Sequence, residues 1–275
     1  MSVEARYVLE HNDRELARLS RLAAREAEQV RLTARVARLS EGESAIDVGC
    51  GPLGALQTLA EVVGSDGRVV GIDSGAAAIA KARAVVGSLG LTNVELVHAD
   101  ASSCDLDRLG LRGQFQLAYC RLVLLHQREP LALLRKLGQL VQPGGFVAYQ
   151  DILDDPGFPR CEPNVLAQTH AWSLLLALFR IHGVSPDAAR DHARLARSAG
   201  FRIVDQRGKF AALDAAAGFE IVQQLLTAAR DALAASGLAT LADVDGLISD
   251  LEAAKRGEYR YWFGPLAVET IVQPA

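Results

Sequence analysis

The chain carries 275 residues, half of them hydrophobic and 23% charged, with a formal net charge of −4. That length can bury one large core, with or without a cap, and the acidic balance argues against a dedicated nucleic-acid surface. The longest apolar run (residues 174–179) is far short of the ~20 residues that span a bilayer, the opening residues lack the apolar stretch of a secretion signal, and the four cysteines show no C-x-x-C spacing that would suggest zinc or a disulfide framework.

Asn12-Asp13-Arg14-Glu15 forms a capping-box-like start, after which Leu16, Leu19, Ala23, Ala27 and Val30 recur at helical spacing. A second helical piece runs to about Ser40, making residues 1–40 a helical N-terminal segment. From 41 to 152 strand and helix alternate, with strands ending at Val48 and spanning 68–73, 94–99, 115–120 and 146–152, and helices at 53–63, 75–88 and 130–141. Such alternation predicts an α/β fold, a doubly wound and mostly parallel sheet. Residues 154–163 hold three prolines and are expected as a non-regular loop. A helix over 164–182 reads as apolar around nearly its whole circumference, so it roofs a pocket or meets a partner chain, and 153–185 is expected as a cap. Residues 186–275 complete the core with an amphipathic helix to Ala199, a sixth strand from Phe201 and a last strand near 264–273, which makes the sheet seven-stranded. A second helical insertion interrupts them at about 212–257.

The most informative stretch is Ile46-Asp47-Val48-Gly49-Cys50-Gly51-Pro52-Leu53-Gly54, a buried strand turning through glycines into a helix. Glycines let backbone approach a ligand where a Cβ would clash, and the helix start presents unpaired N–H groups. Asp73 ends the next strand, where a carboxylate can accept the hydroxyl protons of a ribose. The spacing also satisfies the dinucleotide fingerprint of a nicotinamide-dependent oxidoreductase. Two residues argue against that: Asp47 aims a negative charge at the loop, and Pro52 removes an N–H from it. A zwitterionic amino acid bearing a sulfonium suits this loop better than a pyrophosphate.

Here the sequence resembles the Rossmann-like S-adenosylmethionine-dependent methyltransferases. IDVGCGPLG resembles their glycine motif, with Leu53 where many members have a third glycine, and VVGIDS (69–74) their ribose-binding strand. VELVHADA (94–101), FQLAYCRLVLLH (115–126) and LVQPGGFVAYQD (140–151) are similar to the third, fourth and fifth strand motifs, in order. The resemblance implies a Rossmann-like fold, S-adenosylmethionine as cofactor, and a site drawn from Asp47, Gly49, Cys50, Gly51, Asp73, Ser74, Asp100, Ala101, Cys120 and Arg121. Asp100 would contact the adenine amino group. Arg121 would hold the methionine carboxylate or pair with Asp47, the alternative being a surface salt bridge. Gly54 would serve helix–strand packing.

Methyl transfer from a sulfonium needs alignment and exclusion of water more than a unique catalytic group. His126, after the fourth strand, is the candidate general base; the competing role is hydrogen bonding to a loop carbonyl. Asp151 ends the fifth strand and is expected to face the pocket, to bind or deprotonate substrate, or else to cap the following loop. Asp151, Asp154 and Asp155 form an acidic loop read as solvated rather than as a magnesium site. His170, Trp172 and the N-terminal Tyr7 are candidate substrate contacts, an aromatic on such a helix more often being core. His11 is read as surface at least as readily as functional. The expected protein is a cytoplasmic methyltransferase of a small, partly apolar molecule, secondary-metabolite type, without nucleic-acid or membrane partner and with a homodimer as an option. The alternatives are a methyltransferase-like cyclase or pericyclase, a nicotinamide-dependent oxidoreductase, and a catalytically silent binding partner.

Overall fold

The computed structural model describes residues 13–154, 160–257 and 261–274. Asn12, Tyr7, His11 and Asp155 lie outside the described residues. The chain forms two compact units, one containing Leu16–Asp151, Ala188–Arg207 and Val268–Ala275, the other Ile152–Asp187 and Gly208–Ala267.

The first unit is an α/β sheet. Its strands are β1 (Ser44–Val48), β2 (Arg68–Asp73), β3 (Val94–His98), β4 (Phe115–Arg121) and β5 (Val141–Leu153). They lie in the order β3-β2-β1-β4-β5, with parallel pairing throughout. The helices α1 (Asp13–Val36), α2 (Leu56–Val63), α3 (Ala76–Ser88) and α4 (Pro130–Leu140) flank them. The strand order reverses direction between β1 and β4, and ligands on open parallel sheets bind at the carboxyl ends beside such a switch.

Side chains alternate across each strand, so every second residue joins a different core. Ile46, Val48, Val70, Ile72, Ala118, Cys120, Val147 and Tyr149 pack with Leu133, Leu134 and Leu137 of α4 and with Leu195 and Ala196 of α6 (His192–Ser198). Ala45, Val69, Leu117, Tyr119 and Ala148 face the other way. They pack on Val30 and Ala34 of α1, Leu56 and Leu59 of α2 and Ile79 of α3. This alternation decides which helix each polar residue at a strand end will meet.

The second unit packs α5 (Leu166–Ile181), α7 (Ala215–Ala235) and α8 (Leu241–Ala254) around Trp172, Leu175, Phe219, Leu226, Leu247 and Trp262. Helix α8 starts with a reciprocal capping box between Thr240 and Asp243. Two long strands, β7 (Phe201–Leu213) and β8 (Tyr261–Pro274), pair with each other and contribute to both units.

Several expectations are corrected. The sheet has eight strands among the described residues, not seven. The extra strand is the two-residue β6 (Cys161–Glu162), inside the stretch expected as irregular, and it pairs antiparallel with Trp262 and Tyr261. The N-terminal helix is one continuous element that stops at Val36 instead of two pieces reaching Ser40. Its end is closed by the Leu39 N–H to Ala34 carbonyl bond, with Arg38 left-handed at φ 55°. The helix expected over 186–199 is a 3₁₀ turn, Ala188–Asp191, followed by α6. Pro143-Gly144-Gly145 does not precede β5 but belongs to it, the register against β4 shifting between Phe115 and Leu117. Helix α5 is buried on one side only: Leu166 is 81% and Ile181 58% exposed.

Candidate active site

Strand β1 ends at Val48, and the N–H groups of Gly49 and Cys50 both reach the Ile72 carbonyl, at 2.8 and 3.2 Å. The glycine loop is thus stitched to the end of β2. A side chain at Gly49 would collide with Val123, and one at Gly54 with the Asp47 carboxylate and the Cys50 backbone. Gly51, at φ 55°, is different: an added Cβ would meet nothing within 4 Å. Two of the glycines serve the protein's own packing, and the third leaves backbone facing open space.

Asp47 does not project from this loop but lies beneath it, 2% exposed, accepting the Ala55 N–H at 2.7 Å. Burial raises its pKa from 3.8 to about 6, against the Ala55 N–H and the Arg121 charge, which lower it; Asp73 adds to the rise. Arg121 ends β4 and donates to the Gly54 carbonyl at 3.4 Å, so it braces the same turn. The Cys50 and Cys120 thiols are pushed well up by burial first and by the nearby carboxylates second, which keeps them protonated.

Asp73 is half-buried and bridges two loops: one carboxylate oxygen accepts the Gly51 N–H at 2.9 Å, the other the Gly75 N–H at 2.8 Å. Ser74 beside it is exposed, its carbonyl accepting from His98 Nε2 at 3.0 Å. Asp100 closes its own turn, accepting the Ser102 N–H at 2.8 Å and the hydroxyls of Ser102 and Ser103 at 2.7 and 3.1 Å. Burial acts to raise its pKa, but these bonds outweigh burial and hold it lowered. Ala101 sits half-buried in that turn. Asp47, Gly49, Cys50, Gly51, Asp73 and Arg121 therefore come together around one loop, while Asp100 and Ala101 occupy the turn after β3.

Beyond Arg121 the chain turns sharply through Leu122, left-handed at φ 56°, whose N–H reaches the Gln150 carbonyl at 2.7 Å. A 3₁₀ turn, Leu124–His126, follows. His126 is half-buried, and burial lowers its pKa, favouring the neutral imidazole that can accept a proton. Asp151 departs from expectation. Its carboxylate does not face a pocket but is fully buried, accepting the Leu125 N–H at 3.3 Å and lying 3.2 Å from His192 Nε2.

A family model described as a methyltransferase domain matches residues 39–183, more than half of the chain. The chain belongs to the methyltransferase-domain family. Among curated relatives it is 30% identical to a demethylmenaquinone methyltransferase of Bacillus cereus over 115 residues, 42% of this chain and 47% of that protein. The chain spans less than half the length of the first curated relatives it matches. Among solved structures it is similar to a SAM-dependent methyltransferase from Aquifex aeolicus (TM-score 0.51, 21% identity, covering 70% of this chain and 90% of that one). It is also similar to the [4+2]-cyclase SpnF (TM-score 0.55, 21% identity, covering 90% and 82%). At these identities the structural likeness is one of fold.

The α/β unit also holds buried polar residues that the sequence did not mark. His192 meets Asp151, Thr270 meets His192, and Gln206 meets Thr270, and no motif marks any of the three. On the opposite sheet face Tyr119 donates to Gln150 at 3.3 Å, and Gln150 to Glu26 of α1 at 3.4 Å. Gln150 lies within the fifth-strand motif (140–151), and the alternation of β5 is the signal that turns it toward α1.

In the helical unit His170 is exposed, along a groove of about 400 Å³ with Leu166, Ala167, Thr169, Leu247 and Asp250. Trp172 points elsewhere, into the core: its indole N–H donates to Asp154 at 2.8 Å, and the Arg160 guanidinium, paired with Asp154, lies 5.1 Å from its ring. The two candidate substrate residues of α5 therefore do not share a surface. Among the described residues no group of three or more His, Cys, Asp or Glu is placed to hold a metal ion, and none of the helices is long and apolar enough to cross a membrane.

Proposed function

We propose that this protein is an S-adenosylmethionine-dependent methyltransferase of a small, partly apolar molecule. The observation that carries the reading is the pairing of Gly51 with Asp73. Gly51 faces open space, and its N–H is held by a half-buried carboxylate at the end of β2, beside the switch point of the sheet. Each Asp73 oxygen accepts one backbone N–H and keeps a lone pair for a ribose hydroxyl. In this reading Gly49, Gly51 and Cys50 line the amino-acid moiety with Arg121 near its carboxylate, Ser74 flanks the ribose, and Asp100 and Ala101 border the adenine. Cys120 closes the floor.

S-adenosylmethionine supplies an electrophilic methyl group on a sulfonium. This chain's residues bind and orient it, exclude water, and in the case of His126 take up a proton from the acceptor. Asp47 fixes the loop from below. A small acceptor is supported by the relative named for demethylmenaquinone, and by an excess of aliphatic side chains in the helical unit. Tyr7 and His170 remain proposed acceptor contacts, His170 being exposed, whereas Trp172 serves the core of the helical unit. Residues 153–185 and the insertion at about 212–257 are proposed as the cap on a core running from 41 to 152.

The likeness to SpnF over 90% of the chain supports a second reading, a cyclase that retains the cofactor crevice. Residence in the cytoplasm is part of the proposal, nucleic acid is not a proposed partner, and a second copy of the chain is the proposed cover for Leu166 and Ile181, to be tested by light scattering.

Calorimetric titration with S-adenosylmethionine and, separately, NADH tests the cofactor. Product masses from an acceptor panel test the reaction. A gain of one methylene supports methyl transfer, an unchanged mass the cyclase, and binding of NADH alone overturns both.

A further inference from the structure

Strand β5 leaves the α/β unit at Asp151, and the chain returns to it at Ala188. Just inside that return His192, the first residue of α6, lies against Asp151. The two belong to a chain of fully buried polar groups, with Asp151, His192 and Thr270 each at 0% exposure. Asp151 holds the Leu125 N–H with one oxygen and His192 Nε2 with the other, at 3.3 and 3.2 Å. His192 Nδ1 meets the Thr270 hydroxyl at 3.1 Å, and Gln206 donates to that hydroxyl at 3.0 Å. The imidazole is fixed further by the Tyr149 ring, edge-on with centroids 4.6 Å apart, while the Tyr149 hydroxyl donates to the His192 carbonyl at 3.0 Å.

A buried carboxylate and a buried imidazole are costly to assemble and persist where each polar atom has a partner. What this assembly grips is the N–H of Leu125, in the 3₁₀ turn whose last residue is His126. That turn is entered through left-handed Leu122, a conformation that needs external constraint to persist.

We propose that Asp151 and His192 are positioning residues, which together hold the backbone of Leu125 and thereby set the turn that carries His126. Asp151 does not touch the acceptor. Its carboxylate acts through the backbone, and His192 orients that carboxylate. The use of the turn in catalysis rests on the methyltransferase reading; the gripping of the turn does not.

The test is His192→Leu, which removes the partner of Asp151, beside His192→Gln, whose amide N–H can replace it. Two readouts are taken by NMR on the full chain: exchange of the Leu125 amide, and the titration of the His126 imidazole. In His192→Leu the Leu125 amide exchanges at least ~10-fold faster while β1 and β4 amides keep their protection. The His126 pKa rises toward its ordinary value as the turn takes up water, and His192→Gln restores both. If His192→Leu fails to fold, Thr270→Val removes the hydroxyl that fixes the ring, and Leu125 exchange is expected to rise ~3-fold or more. Unchanged Leu125 exchange and His126 titration in the folded variant overturn the proposal, as does loss of both in His192→Gln. Titrating the wild type with S-adenosylmethionine separately decides the methyltransferase reading, so the two can fail independently.

Discussion

Asp47 is the residue where stability and function should be seen to conflict. Its pKa in the folded chain is about 6 against 3.8 for an ordinary aspartate. Between those values the unfolded chain has released its proton while the folded chain still holds it, so stability falls as pH rises through the window. Well below pH 3.8 both states are protonated and the penalty is absent; well above pH 6 both are ionised and it is fully present. At about 1.4 kcal/mol per pH unit the penalty is about 3 kcal/mol, of which about 2 kcal/mol develops between pH 4.5 and 7.5. Asp47→Asn keeps an oxygen for the Ala55 N–H and cannot ionise. Its new N–H₂ group lies in a buried place, at a cost of roughly 1–2 kcal/mol that does not depend on pH.

The variant should therefore gain about 2 kcal/mol on the wild type between pH 4.5 and 7.5, whatever its absolute stability. The assay must report the α/β unit. Trp172 and Trp262 are the chain's two tryptophans and both lie in the helical unit, so their fluorescence reports that unit directly and not β1. Hydrogen exchange of the β1 amides reads the α/β unit. S-adenosylmethionine affinity should fall in the same variant, because the loop loses the charge that tethers it. Parallel pH profiles for wild type and variant would refute the argument, since they would mean that Asp47 ionises no differently when folded.

Four further outcomes follow from particular contacts. Asp73→Ala should weaken S-adenosylmethionine binding by about 1–3 kcal/mol by calorimetry, as two N–H groups and the ribose lose one acceptor; equal affinity would remove Asp73 from the site. His126→Ala should slow turnover roughly 10–100-fold with the acceptor the mass screen returns, at near-constant cofactor affinity. Because burial lowers the imidazole pKa, the acid limb of the wild-type rate should lie below the ordinary histidine value of 6.5 and vanish in the variant. Gly218→Ala gains about 1 kcal/mol of helix propensity but drives a methyl into the near-backbone atoms of Trp262. A net loss of about 2 kcal/mol is expected, read by tryptophan fluorescence, which reports the right unit here. Arg38→Gly relieves an exposed left-handed residue after α1 and should stabilise by about 1 kcal/mol, measured by thermal unfolding.

The parallel core was legible because its strands are short apolar runs separated by helix-period segments, and β2, closed by Asp73, has the bounds its sequence predicts. The partners of those strand-end residues were not. Asp47 and Asp151 both read as acids aimed at a ligand, yet both are buried beneath the loops they were expected to decorate. Sequence spacing gives the strand end but not the fate of the side chain, which depends on elements far along the chain. Thr270 is 78 residues from His192, and Glu26 124 residues from Gln150. The two-residue β6 was illegible for the same reason: nothing local makes Cys161–Glu162 a strand, and pairing with Tyr261 and Trp262 does.

The turn after β4 shows how such distant partners impose a shape. A left-handed leucine costs about 1–2 kcal/mol, and nothing in the run Arg121-Leu122-Val123-Leu124-Leu125-His126 offsets it locally: there is no glycine or asparagine to relax the bend. The offset comes from β5, through the Gln150 carbonyl on the Leu122 N–H and the Asp151 carboxylate on the Leu125 N–H. Adjacent residues of one strand thus diverge by alternation. The Gln150 backbone grips the turn while its side chain serves α1, and Asp151 grips the turn with its side chain. A turn shaped from outside can be reset without touching its own sequence, so the conformation around His126 should respond more to changes at Asp151, His192 and Thr270 than to conservative changes at Val123 or Leu124.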